Sequence, residues 1–142
     1  MVGSEPVIII DSSVVLARTN PKDNNHERAC QVMEVVKSGQ YGPLVITDHI
    51  LAEVVTITML RLGIEQARTI GSTLMAATEV RNVDDIALPL AWRIFCAQEK
   101  GRLSLCDCAT VAVARIDGIE HVATFDRDLG RVEGITAVDG SS

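Results

Sequence analysis

The run Pro6-Val7-Ile8-Ile9-Ile10 ends abruptly on an acid, Asp11. A stretch so uniformly apolar and β-branched cannot leave one face in water. It predicts a strand buried on both sides, at the centre of a parallel sheet. Parallel neighbours need long crossovers, so helices must separate this strand from the others. The rest of the chain supplies them. Asn24 or Asn25 can cap a helix through about Lys37, closed by Ser38-Gly39, and Leu44-Val45-Ile46 reads as a second strand. Thr47 or Asp48 caps a helix to Leu62, where Gly63 stops it, and Ile64 to about Thr78 forms another. Glu79 to Asn82 is a short third strand. Asp84 and Asp85 open a helical stretch ending at Lys100-Gly101, with Pro89 marking where its regular part begins. Ser104 with Asp107 resembles a capping box for a helix to about Ile116. His121 to Thr124 and Gly134 to Val138 complete five strands. With right-handed crossovers, this alternation predicts an α/β three-layer sandwich with helices on both faces of the sheet.

The length of 142 residues predicts one domain spanning residues 1–142. A hydrophobic share of 47% excludes a disordered chain. No apolar run approaches the ~18 residues of a membrane span, and the first residues lack the pattern of a secretory leader. A soluble, cytoplasmic protein without a membrane partner is therefore expected. Nineteen acids against thirteen bases give a net charge of −6, which argues against a general nucleic-acid coat but not against nucleic acid as a substrate. Cys30, Cys96, Cys106 and Cys108 form no C-x-x-C pair, and His26, His49 and His121 are scattered, so the thiols are expected to be reduced and buried rather than zinc ligands.

Chemistry in an open parallel sheet gathers at the carboxyl ends of the strands. Asp11 follows the first strand, and Asp126 and Asp128 lie just past the fourth. Asp107 opens the helix before that strand, and Glu53 sits near the second turn of the helix leaving the second strand. Each acid therefore starts a helix or ends a strand on the same edge. Several have simpler readings. Asp107 can be a cap alone, Asp128 can merely initiate the turn before Gly130, and Glu53 can be a solvated helix position. Asp11 is harder to account for structurally. Together, such acids would repel unless cations sat among them, and an oxygen-only donor set suits Mg²⁺ or Mn²⁺. Without these five, fourteen acids would face the thirteen bases, so most of the negative excess lies in the candidate site. No G-x-x-x-x-G-K-[ST] or G-x-G-x-x-G phosphate loop is present.

The pieces Val-Ile-Ile-Ile-Asp11-Ser12-Ser13, Ile50-Leu51-Ala52-Glu53-Val54, Leu103-Ser104-Leu105-Cys106-Asp107-Cys108-Ala109 and Ala123-Thr124-Phe125-Asp126-Arg127-Asp128-Leu129 together resemble PIN-domain ribonucleases, nearest to VapC-type toxins of toxin–antitoxin pairs. The resemblance runs in order through the whole chain. It implies a strand order of 3-2-1-4-5 and a metal-dependent endoribonuclease. Asp11, Glu53, Asp107 and Asp126 are the implied catalytic acids and metal ligands, Asp128 a further ligand, and Ser13 and Thr124 supporting hydroxyls. It implies an RNA substrate, a homodimer and a cognate antitoxin. The chain adds its own argument for dimerisation: the segment from Ile64 to Thr78 carries Ile64, Ala67, Ile70, Leu74, Met75 and Ala77, more apolar surface than one short sheet covers. The competing function is a PIN-like module that binds protein or RNA without cutting it. Metal-dependent cleavage separates the two.

Overall fold

The structure, a computed structural model, describes residues 5–141. Its elements follow in the order β1 (Ile8–Ile10), α1 (Ser12–Thr19), α2 (His26–Lys37), β2 (Leu44–Thr47), α3 (Asp48–Leu62), α4 (Ile64–Ala77), β3 (Glu79–Arg81), α5 (Ala87–Cys96), α6 (Leu105–Asp117), β4 (His121–Ala123), α7 (Arg127–Gly130) and β5 (Thr136–Val138). The five strands are all parallel and lie in the order β3-β2-β1-β4-β5. Ile8, Ile9 and Ile10 are buried at the centre. The two edge strands are only three residues long, which limits unpaired backbone at the rims. Right-handed crossovers carry α1 to α4 over one face as the chain moves outward to β3, and α5 and α6 over the other as it returns to β4. The helices pack accordingly, α1 on α2 and α3, α3 on α4, and α5 on α6.

Two local features fix the centre of the sheet. Ile10 stands opposite Ala123, so the residues that follow, Asp11 and Thr124, leave the sheet side by side. Gly42, at φ +86°, leads into β2 where a Cβ would lie 1.8 Å from the Pro6 carbonyl oxygen. Only glycine permits that approach of the β2 lead-in to the segment entering β1.

Three expectations need correction. The sequence pattern assigns no element between Asp11 and Asn24, yet α1 begins at Ser12. Its Ser-Ser-Val-Val sequence is a poor helix former, but Val14, Val15 and Ala17 are buried, and that burial outweighs propensity. The helix expected to reach Lys100 ends at Cys96. Gln98 instead anchors the following loop, its Oε1 accepting from the Leu103 N–H (2.8 Å) and its Nε2 donating to the Leu103 carbonyl (3.0 Å). Only Cys108 is fully buried, among the alanines between α5 and α6. Cys30 and Cys106 are half-buried and Cys96 is exposed, because it closes the outer end of a short helix. All four are free thiols.

The apolar segment of α4 divides. Ala67 and Leu74 enter the core, whereas Ile64 is exposed with Leu60 and Leu62 at the α3–α4 turn and Met75 is exposed near the other end of α4. Among the described residues no helix is long and apolar enough to cross a membrane.

Candidate active site

Asp11 is only 2% exposed, which makes it the most buried carboxylate of the candidate set. β1 delivers it directly to the sheet edge, where its backbone N–H donates to the Ala123 carbonyl (2.9 Å). Its Oδ2 accepts from Ser13 Oγ (2.7 Å) and from Thr124 Oγ1 (2.8 Å). The same two hydroxyls accept in turn from backbone: Ser13 Oγ from the Phe125 N–H (3.1 Å) and Thr124 Oγ1 from the Asp126 N–H (3.0 Å). The two strand ends are thereby stitched together, and one carboxylate oxygen of Asp11 is fixed. Its other oxygen, Oδ1, is buried with no hydrogen-bond partner. A buried acceptor left in that condition costs free energy, so it is a position prepared for a donor or a cation. Burial pushes the Asp11 carboxyl above its ordinary range, opposed by the Ser13 and Thr124 hydroxyls and by the nearby backbone N–H groups of Ser12 and Ser13.

The other acids arrive from separate elements. Asp107 lies in the first turn of α6, where the capping box is complete: Asp107 N–H donates to Ser104 Oγ (3.0 Å), and Ser104 N–H to Asp107 Oδ2 (2.9 Å). The cap uses one oxygen only. Burial raises the Asp107 carboxyl first, the Ser104 backbone and hydroxyl lower it, and the charges of Asp11 and Asp126 raise it, so the three carboxylates feel one another's charge. Asp126 precedes α7 and accepts from the Asp128 N–H (2.9 Å) and Leu129 N–H (3.2 Å) through Oδ1 alone. Glu53, on α3, accepts a hydrogen bond from Ser12 Oγ. Asp128 turns elsewhere. Its carboxylate is partly exposed and faces Arg102 at 3.6 Å.

Two participants escaped the sequence reading. Ser12 holds Glu53, and only its place between two motif residues could have signalled it. Cys106 lies within the cluster. Its thiol is pushed up by burial and then by the charges of Glu53, Asp107 and Asp11, so those three acids share one neighbour. That environment keeps the thiol protonated and unreactive.

The donor set fits a hard divalent cation. All candidate ligands are carboxylate oxygens, and one of them is buried and unpartnered. Among the described residues no three His, Cys, Asp or Glu side chains are gathered tightly enough to enclose an ion. Mg²⁺ needs no such cage, since it keeps several waters and takes one or two carboxylates directly.

The family model for the PIN domain matches residues 8–135, which spans every element from β1 to the loop before β5. Among solved structures, the chain is similar to the VapC20 toxin of Mycobacterium tuberculosis, described as cleaving the sarcin-ricin loop. The TM-score is 0.79 at 22% identity, covering 89% of this chain and 95% of that one. It is also similar to the DNA-bound VapBC of Salmonella typhimurium (TM-score 0.71, 16% identity, 96% of this chain and 99% of that one). A toxin–antitoxin complex from Klebsiella pneumoniae follows at TM-score 0.65 and 16% identity, covering 91% of this chain and 95% of that one. At these identities the likeness concerns the fold. No curated protein sequence matches the chain.

Proposed function

The chain belongs to the PIN-domain family, and from that premise we propose that it is a single-domain, metal-dependent endoribonuclease, the toxin of a toxin–antitoxin pair. The observation that supports this reading most is the buried, unpartnered Oδ1 of Asp11, set in an electrostatic cluster with Asp107 and Asp126. Asp11, Glu53, Asp107 and Asp126 would hold one or two Mg²⁺ or Mn²⁺ ions, with Asp128 at the rim. Bound divalent metal supplies an activated water and neutralises charge on the phosphodiester oxygens during in-line displacement. The protein's part is positional. Ser13 and Thr124 orient Asp11 through Oδ2 and leave Oδ1 free. Ser104 fixes the rotamer of Asp107, and Ser12 that of Glu53. No Ser, His or Lys nucleophile is required.

The neighbouring VapBC and toxin–antitoxin structures support a protein antitoxin as partner. The exposed Leu60, Leu62 and Ile64 support a homodimer through the α3–α4 turn. A cytoplasmic location accords with both.

The test is cleavage of a labelled RNA by the purified protein with Mg²⁺ or Mn²⁺, with excess chelator, and with Asp11→Asn. Internal cleavage is expected with metal only and from the wild type only. RNA left intact by the metal-loaded wild type would favour the non-cutting binding module.

A further inference from the structure

The chain is poor in bases, yet three of its thirteen line one cleft of about 350 Å³ that opens beside Asp126. Its walls include Arg28, Phe125, Asp126, Arg127, Arg131 and Asp139. Arg28 is already engaged. Its Nε donates to the Asp139 carbonyl (2.5 Å), its Nη2 faces the Asp139 carboxylate at 3.4 Å, and its guanidinium lies 4.7 Å above the Phe125 ring. Arg127 and Arg131 are different. They stand four residues apart on the turn of α7, which places them on one face, and among the described residues neither has an ion-pair partner. The turn packs closely on the sheet: a Cβ at Gly130 would come within 3.2 Å of the Ala137 side chain on β5. The cleft's two carboxylates are already engaged, Asp139 by Arg28 and Asp126 through one oxygen by the backbone of its own turn.

Resting on the ribonuclease reading, we infer that this cleft is a phosphate-backbone subsite, in which Arg127 and Arg131 hold phosphates of the RNA strand as it leaves the acidic cluster toward β5. The chemistry favours an anion of repeated charge. Asp126 contributes one wall, so an isolated anion entering the cleft would meet a carboxylate. A polyanion whose next phosphate lies among metal-neutralised acids would not suffer that repulsion. Guanidinium groups supply paired donors matched to phosphate oxygens. Arg28, held by Asp139 and Phe125, is the fixed wall against which the strand is positioned. Arg127 and Arg131 are thus positioning residues for substrate and take no part in bond breaking.

The experiment is anisotropy of a labelled twelve-nucleotide single-stranded RNA, titrated with the Asp11→Asn protein in Mg²⁺ at several salt concentrations. Each phosphate contact on a single strand contributes about 0.7 to the slope of log affinity against log salt. Arg127→Ala with Arg131→Ala should lower that slope by about 1.4, and the two lysine replacements should restore it. The slope requires no cleavage, so it is independent of whether the protein is a nuclease. In the wild-type background, Arg131→Ala alone should raise KM severalfold with kcat held, a second readout if the double variant folds poorly. An unchanged slope in the double alanine variant, or no RNA binding by the parent, would overturn the subsite. A lowered slope in a protein that never cleaves RNA would leave the subsite standing and remove the ribonuclease reading.

Discussion

Asp11 and Asp128 are the same residue type at two ends of one candidate ligand set, yet the fold treats them oppositely. Asp11 is buried, oriented by two hydroxyls, and left with an oxygen that nothing satisfies. Asp128 stands at the rim, partly solvated and facing an exposed arginine, Arg102. The difference teaches that the surroundings make one carboxylate costly and the other nearly free. A buried carboxylate with an acceptor oxygen left unpaired costs stability, and costs of that kind cluster at functional sites. A solvated ion pair contributes little to stability.

If that contrast is right, substitutions at the two positions must diverge. The largest effect is expected from Asp11→Asn, which should lower RNA cleavage by about 10²–10³-fold or more, on the scale of losing one preorganised electrostatic group. Circular dichroism should show an unchanged fold, since the amide preserves shape.

The next effect is on pH. Asp11 and Asp107 both have raised carboxyls in the native state, so the metal-free folded protein holds protons that the unfolded chain has released. Stability is therefore fully present below the ordinary carboxylate value of 3.8 and declines as pH rises through the raised native values. The melting temperature in chelator should fall as pH is raised from about 4 toward neutrality. Excess Mn²⁺ should bind the native state alone and so flatten the fall. A melting temperature that rises over that interval in chelator would contradict the burial assigned to these two acids.

Ser13→Ala sharpens the comparison from the support side. It removes a donor from Asp11 and leaves the Phe125 N–H without its acceptor, so urea unfolding should show a loss of about 1–3 kcal/mol. The smallest effect is expected at the rim. Arg102→Ala should change stability by less than about 1 kcal/mol, because its partner is solvated. Asp128→Asn should lower cleavage by less than about tenfold, in line with one rim contact rather than a buried ligand. If Asp128→Asn matched Asp11→Asn in activity, the distinction between buried centre and rim would fail.

Much of this was legible in the sequence because burial writes itself in patterns. The isoleucine run could only be a central strand, and Asp11 directly after it had no packing purpose. The Ser104–Asp107 spacing announced its capping box, and Gly63 its helix end. What was hidden depended on contacts between distant segments. α1 forms from a sequence with poor helical propensity because the core takes up Val14 and Val15. The hydrogen bond between Ser12 and Glu53 joins residues 41 apart, and no local pattern encodes it. The same holds for Arg102 meeting Asp128, and for the basic cleft assembled from α2, α7 and the segment after β5.

The central claim is that the acids converging on Asp11 form a divalent-metal site. Mn²⁺ binding, followed by electron paramagnetic resonance on wild type and Asp11→Asn near neutral pH, tests it without reference to catalysis. The wild type should bind Mn²⁺ saturably and lose the free-ion signal in proportion, while Asp11→Asn should bind at least about tenfold more weakly. Equal binding by the two proteins, or no binding by the wild type, would contradict the account.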